Sequence, residues 1–332
     1  MSDRLLEVEN LHTTFATGAG EVQAVRGISF HVDKGESLGI VGESGCGKSV
    51  TMLSIMGLLD DNASMKADAV CLDGVDLLGK SSKEMRAIQG NQIGMIFQDP
   101  MTSLNPLFTI GEQIRNPLMR HKKLSKKEAN AQARQMLERV GIPSPEKRLS
   151  QYPHELSGGM RQRVMIAIAM CCGPKLLIAD EPTTALDVTI QAQILELMGE
   201  MKEQSSMSVI LITHDLGVIS SLCTRVLVMY GGLVMEEGSA EDIFYRTGHP
   251  YTAGLLASTP KGGREKLVPI YGTPPDLLKP PAGCPFAARC PHAMELCRGF
   301  CPPFAALGTG HRAACWLHNR SVRAAKGEVK LV

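Results

Sequence analysis

Apolar and polar positions alternate along residues 4–12 and again along 22–32, where Val22, Ala24, Val25, Ile28, Phe30 and Val32 carry the apolar side. A period of two predicts half-exposed strands. Residues 37–41 form a short apolar run that enters a glycine-rich turn, and 50–59 follow with helical spacing. Residues 93–98 read as another buried strand. From 105 to 140 the spacing is helical and polar, with a charged stretch over 122–128. A further helix is predicted over 157–172, with Ser157 as its N-cap. Buried strands at 176–179 and 208–213 flank a helix at 189–203. Strands alternating with helices predict an α/β fold with a mainly parallel, covered sheet.

Past Tyr251 the character changes. Pro260, Pro269, Pro274, Pro275, Pro280, Pro281 and Pro285 predict an extended chain poor in helix. The expected division is therefore a main domain over 1–259 and a small C-terminal module over 260–332, in keeping with a length of 332 residues. With 44% apolar and 21% charged residues, the composition is globular. A formal charge of +1 and only 4% aromatics argue against nucleic acid as a partner. The charge is uneven, since residues 261–332 carry 11 Lys/Arg against 4 Asp/Glu. No apolar run approaches the roughly 20 residues that span a bilayer. Met1-Ser2-Asp3-Arg4 lacks the layout of a signal peptide, so the expected location is the cytoplasm, where thiols stay reduced.

Candidate chemistry begins at the glycine-rich turn. Gly42-Glu43-Ser44-Gly45-Cys46-Gly47-Lys48-Ser49 fits G-x-x-x-x-G-K-[ST] between a predicted strand and a predicted helix. Such a loop wraps phosphates in backbone N–H groups at a helix N-terminus, continuing into Val50. Lys48 would reach the outer phosphates and Ser49 would ligate Mg²⁺. The apolar run 176–179 ends in Asp180-Glu181. Asp180 is suited to hold the Mg²⁺ and Glu181 to orient or deprotonate an attacking water.

Between these segments lies Leu156-Ser157-Gly158-Gly159-Met160-Arg161-Gln162-Arg163, which resembles the signature sequence of the ABC ATPases. Further motifs fall in that family's order. Gln98 resembles the Q-loop glutamine, Ala185-Leu186-Asp187 the D-loop, and His214 the H-loop histidine, while Phe15 sits where the family stacks a ring on adenine. The resemblance covers roughly residues 4–250. It implies an ABC-type P-loop core with an N-terminal antiparallel β-subdomain and a helical subdomain over about 100–172. Glu181, His214 and Lys48 would be catalytic, and Gln98 would join Ser49 and Asp180 around Mg²⁺ and link nucleotide state to a membrane subunit. The family also implies that Ser157, Gly158, Gly159 and Met160 meet ATP held by an opposite subunit, so a second ATP-binding subunit is required. Cys46 departs from the serine more usual there, and a thiol at that place suggests sensitivity to alkylation.

The stretches 95–106, His249-Pro250-Tyr251-Thr252 and Gly283-Cys284-Pro285-Phe286…Arg289-Cys290-Pro291 look like those of ATP-binding subunits of dipeptide and oligopeptide importers. That likeness implies two transmembrane permease subunits, an extracytoplasmic peptide-binding protein, and a peripheral place on the cytoplasmic face of the membrane. Nickel or another small solute as cargo, or a soluble ABC ATPase uncoupled from transport, stay open as alternatives. Of ten cysteines, five crowd into the 32 positions from Cys284 to Cys315. Four thiolates satisfy either a [4Fe–4S] cluster or a tetrahedral Zn²⁺ site. The importer resemblance implies the cluster, on Cys284, Cys290, Cys297 and Cys315, with Cys301 as the surplus thiol.

Overall fold

The computed structural model describes residues 3–184, 187–259 and 268–319. Two long strands open the chain, β1 (Arg4–Thr17) and β2 (Gly20–Asp33), followed by β3 (Ser37–Val41), the glycine-rich loop and helix α1 (Lys48–Met56). Short strands β4 (Ala63–Lys66), β5 (Ala69–Leu72) and β6 (Val75–Asp76) and helix α2 (Ser82–Ile88) lead to β7 (Ile93–Ile96). A helical stretch comes next, with α3 (Pro100–Ser103), α4 (Ile110–His121), α5 (Lys126–Arg139), α6 (Pro145–Leu149) and α7 (Gly158–Met170). Then β8 (Leu176–Asp180), α8 (Val188–Ser205), β9 (Ser208–Thr213), α9 (Leu216–Leu222) and β10 (Arg225–Tyr230) alternate. The last elements are β11 (Leu233–Ser239), α10 (Ala240–Tyr245), α11 (Pro250–Ala257), α12 (Glu295–Gly299), β12 (Phe304–Gly308) and β13 (His311–Ala314). No helix among the described residues is long and apolar enough to cross a membrane.

The chain divides into two compact units. The first comprises residues 1–5, 32–36 and 73–212. Here β7, β8 and β9 run parallel, with Ile93 opposite Leu176 and Leu176 opposite Ser208. All three strands are buried along their length, the pattern of a sheet covered on both faces. The helical expectation over 105–140 resolves into two helices. Lys123 takes a left-handed φ of 58°, which α4 cannot continue through, and Ser125 restarts the chain as α5. Ser125 and Glu128 cap each other's backbone N–H groups, as Thr109 and Glu112 do for α4. The charged stretch is thus a helix junction. Ile110, Ile114 and Leu118 of α4 and Ala129, Ala133 and Leu137 of α5 are buried at helical spacing.

The second unit comprises residues 6–31, 37–72 and 213–332. One sheet has β1 between β2 and β5, antiparallel to β5 with Leu6 opposite Leu72 and Val8 opposite Val70. In the other, β3 pairs parallel with β10, β10 antiparallel with β11, β11 with β13 and β13 with β12. Sequence periodicity misses β10 through β13. Glu236 and Glu237 of β11 are buried and break the apolar pattern. Each is satisfied by distant partners: Glu237 by Arg225 and Arg312, Glu236 by His311 and by the N–H groups of Gly248 and His249. The C-terminal hairpin is therefore stitched to the sheet that begins with β3.

Candidate functional site

In the second unit the phosphate-type loop joins the buried strand β3 to α1. Two glycines have no substitute. A Cβ on Gly42 would lie 2.1 Å from the Met229 carbonyl oxygen, and one on Gly47, at φ 104°, 2.5 Å from that of Ala24. Lys48 starts α1 and is only 6% exposed. Its Nζ donates to the carbonyls of Gly42 at 2.7 Å and Glu43 at 3.1 Å, curling back over the loop. Ser44 and Gly45 are exposed, Ser49 and Val50 half-buried, and Phe15 half-buried on β1 in the same unit. Deeper in α1, Ser54 and Thr13 of β1 exchange a buried hydrogen bond at 2.8 Å.

Cys46 lies within this loop, 4% exposed. Burial pushes its thiol pKa up, and the Lys48 charge opposes that only in part. The thiolate is the reactive form, so the chemistry runs against the expected alkylation sensitivity. His214 is exposed directly after buried Thr213, whose hydroxyl accepts the Asp215 N–H at 2.9 Å.

The first unit holds the acidic residues. Asp180 is buried at the end of β8. Glu181 next to it adopts φ 47°, a left-handed conformation that costs a side-chain-bearing residue roughly 1 kcal/mol or more. Its N–H donates to the Ile212 carbonyl at 2.9 Å, which holds the turn. The Glu181 carboxylate accepts from Gln98 Nε2 at 3.0 Å and from the Thr184 hydroxyl at 2.8 Å on the same oxygen. Gln162 of α7, also buried, donates to the Pro182 carbonyl and fastens the loop behind Glu181. Thr184 and Gln162 were not legible as site residues; their only sequence signal is proximity to the two motifs.

Ser157 caps α7, accepting the Met160 N–H at 3.3 Å. A Cβ on exposed Gly158 would meet nothing within 4 Å, whereas one on Gly159 would lie 3.3 Å from Ile190. Packing within the chain thus explains Gly159 but not Gly158. Asp187 caps α8 through the Ile190 N–H, while Ala185 and Leu186 lie outside the described residues.

The cysteine segment closes the second unit. Cys284, Cys290, Cys297 and Cys315 line one small, largely apolar cavity together with His249, His292 and Trp316. Cys301 is exposed and does not line it. Burial first, and then the neighbouring thiols, push Cys284 and Cys315 up to about 12. Such thiols stay protonated unless a cation pulls them to the thiolate. Gly283 shapes the segment, since a Cβ there would lie 2.2 Å from the Cys297 carbonyl oxygen. Among the described residues, no three His, Cys, Asp or Glu side chains are grouped as ligands of one metal ion.

A strand, glycine-rich loop and helix, joined in one chain to a parallel-sheet unit whose middle strand ends in paired carboxylates, define a nucleotide-binding P-loop protein. Comparison with known proteins sharpens this. Residues 25–184 match the family described as ABC transporter, and residues 235–297 match the oligopeptide/dipeptide transporter C-terminal region. The chain is 56% identical over 322 residues, 96% of each chain, to the dipeptide transport ATP-binding protein DppD of Bacillus subtilis. It is 52% identical over 314 residues to the oligopeptide transport ATP-binding protein OppD of Salmonella typhimurium, covering 94% of this chain and 93% of that one. Among solved structures, the dimeric post-hydrolysis state of the ATP-binding cassette MJ0796, bound to ADP and Pi, superposes with a TM-score of 0.63. That match is 30% identical and covers 71% of this chain and 99% of the other. The chain belongs to the ABC transporter ATP-binding proteins that carry the oligopeptide/dipeptide C-terminal region, and it is an ATPase.

Proposed function

We propose that this ATPase powers uptake of dipeptides or oligopeptides through partner membrane subunits. The observation that carries the reading is the likeness to dipeptide and oligopeptide transport proteins along nearly the whole chain, with the C-terminal region included. The motor would act with two transmembrane permease subunits, a second ATP-binding subunit and an extracytoplasmic binding protein, as a peripheral subunit on the cytoplasmic face of the membrane. Functionally we divide it into the nucleotide-binding domain, 1–259, and the cysteine-rich module, 260–332.

For the chemistry, Phe15 stacks on adenine, and the loop from Gly42 to Val50 binds the phosphates with Lys48 as its cation. Ser49, Asp180 and Gln98 are suited to Mg²⁺, which supplies charge neutralisation on the phosphates. Glu181 accepts the proton of the attacking water. Its left-handed backbone and its bonds to Gln98 and Thr184 support that role, because they fix the carboxylate and let Gln98 report on it. His214 contacts the outer phosphate. Ser157, Gly158, Gly159 and Met160 are offered to nucleotide on the opposite subunit, with Asp187 beside them in sequence logic as the D-loop residue. Open space at Gly158 supports this, since glycine there costs helix stability without any reason inside the chain. In the module, Cys284, Cys290, Cys297 and Cys315 would hold a [4Fe–4S] cluster, which staples a segment with little core of its own.

Reconstitution with the candidate permease subunits and binding protein in proteoliposomes tests the transport reading. Accumulation of radiolabelled dipeptide that requires ATP inside and is abolished by Lys48→Ala is the expected result. Uptake of nickel but not peptide, or no association with any permease, overturns it.

A further inference from the structure

Glu43, the second residue of the phosphate loop, is held from behind by residues far along the chain. Its backbone N–H donates to the Tyr251 hydroxyl at 2.8 Å. Its carboxylate accepts from Arg289 Nη1 at 2.7 Å. The same guanidinium donates to the Tyr230 hydroxyl at 2.9 Å and to the carbonyls of Tyr271 and Ile270, each at 3.0 Å. With four partners and a side chain 6% exposed, Arg289 has one direction available. The rings below it are packed together: Tyr230 and Tyr251 at 4.5 Å between centroids, with Phe286 edge-on to Tyr230 at 5.4 Å and tilted against Tyr251 at 5.2 Å.

This arrangement unites two sequence stretches that phosphate binding leaves unexplained, His249-Pro250-Tyr251-Thr252 and Cys284-Pro285-Phe286…Arg289-Cys290. It also answers an electrostatic problem. A carboxylate inside a phosphate-binding loop repels the ligand unless a fixed cation neutralises it. The Glu43–Arg289 pair is mostly shielded from solvent, so salt screens it weakly. Lys48, meanwhile, leans on the carbonyls of Gly42 and Glu43, next to the Glu43 N–H that Tyr251 holds and the Glu43 carboxylate that Arg289 holds.

We propose that Arg289 and Tyr251 are positioning residues for ATP: Arg289 neutralises and fixes Glu43, Tyr251 fixes its backbone, and the cysteine-rich segment thereby presets the phosphate loop. The proposal rests on the assignment of residues 42–49 as the ATP phosphate loop. Its signature is an effect on nucleotide affinity that disappears when the carboxylate is removed together with its partner.

The test titrates a fluorescent ATP analogue with Mg²⁺ against the full chain, and measures ATPase KM and kcat in the reconstituted transporter. Arg289→Gln leaves Glu43 unpaired and should weaken binding and raise KM by about tenfold, with kcat within about threefold. Adding Glu43→Gln to Arg289→Gln removes the unpaired carboxylate, and the double variant should bind clearly more tightly than Arg289→Gln, recovering to within about threefold of wild type. Tyr251→Phe, which deletes one oxygen, should weaken binding by about fivefold. A double variant as weak as Arg289→Gln, or an Arg289→Gln variant that binds like wild type, overturns the proposal. Should Arg289→Gln fail to fold, Tyr251→Phe and Arg289→Lys decide: wild-type affinity in Tyr251→Phe together with a full loss in Arg289→Lys, which keeps the charge, counts against it. Lys48→Ala separates the two levels. If it binds nucleotide normally, the loop assignment itself fails; if it loses binding while Arg289→Gln does not, only the positioning role fails.

Discussion

A carboxylate held in a left-handed turn at the end of a buried strand is a costly thing to keep. Glu181 keeps it, and two donors share a single oxygen of that carboxylate. Glu181→Gln should lower ATP turnover by about 10²–10⁴-fold while leaving nucleotide affinity near wild type, because proton acceptance is lost and the fold is not. Steady-state hydrolysis beside equilibrium binding checks this; equal losses in both would move the residue's role to binding. Cys46 yields a prediction about pH. Its thiol pKa is raised in the folded chain, so the thiolate is scarce below the ordinary thiol range and modification accelerates only as pH climbs above it. Mass spectrometry after timed iodoacetamide treatment at neutral pH should find exposed Cys301 labelled long before Cys46.

At the level of elements, the β11 strand shows why part of the fold was illegible. The strand–loop–helix at 37–56 was readable because every signal is local: an apolar run, glycines at fixed offsets, and a helical period. In β11 the deciding residues are acidic and buried, and periodicity assigns charge to solvent. What makes Glu236 tolerable is His311, 75 positions away, along with two backbone N–H groups at 248 and 249. Removing it with Glu236→Ala leaves three donors without their acceptor and should cost about 3 kcal/mol in urea unfolding. Hydrogen exchange should rise first in 304–314, the hairpin that β11 anchors. The break between α4 and α5 was lost for a related reason, since Lys123 gives no glycine-like warning of its positive φ. Ser125→Ala, which deletes the cap of α5, should cost about 1 kcal/mol.

For the whole molecule, the exposed helix start at Ser157 and Gly158 separates stability from activity. Gly158→Ala adds a methyl to open space in a first turn and should leave the melting temperature unchanged or raise it slightly. If the site serves a facing subunit, that same methyl should depress hydrolysis in the assembled transporter while the isolated chain still binds nucleotide. Calorimetry and turnover measured on one preparation would show the split; a parallel loss of both would make Gly158 a folding residue. The strand, glycine-rich loop and helix around Lys48 were readable from the sequence, yet the contacts that brace the loop were not. Tyr251 and Arg289 lie outside any local pattern and were visible only as parts of stretches shared with importer subunits. That distance has a consequence in time. Arg289 follows Glu43 by 246 residues, and at about 5–20 residues per second a ribosome needs about 12–50 s to supply it. Until then a nascent chain carries the glycine-rich motif with an uncompensated carboxylate in it, and if Arg289 acts as proposed, its affinity for ATP should be about tenfold weaker than that of the finished chain.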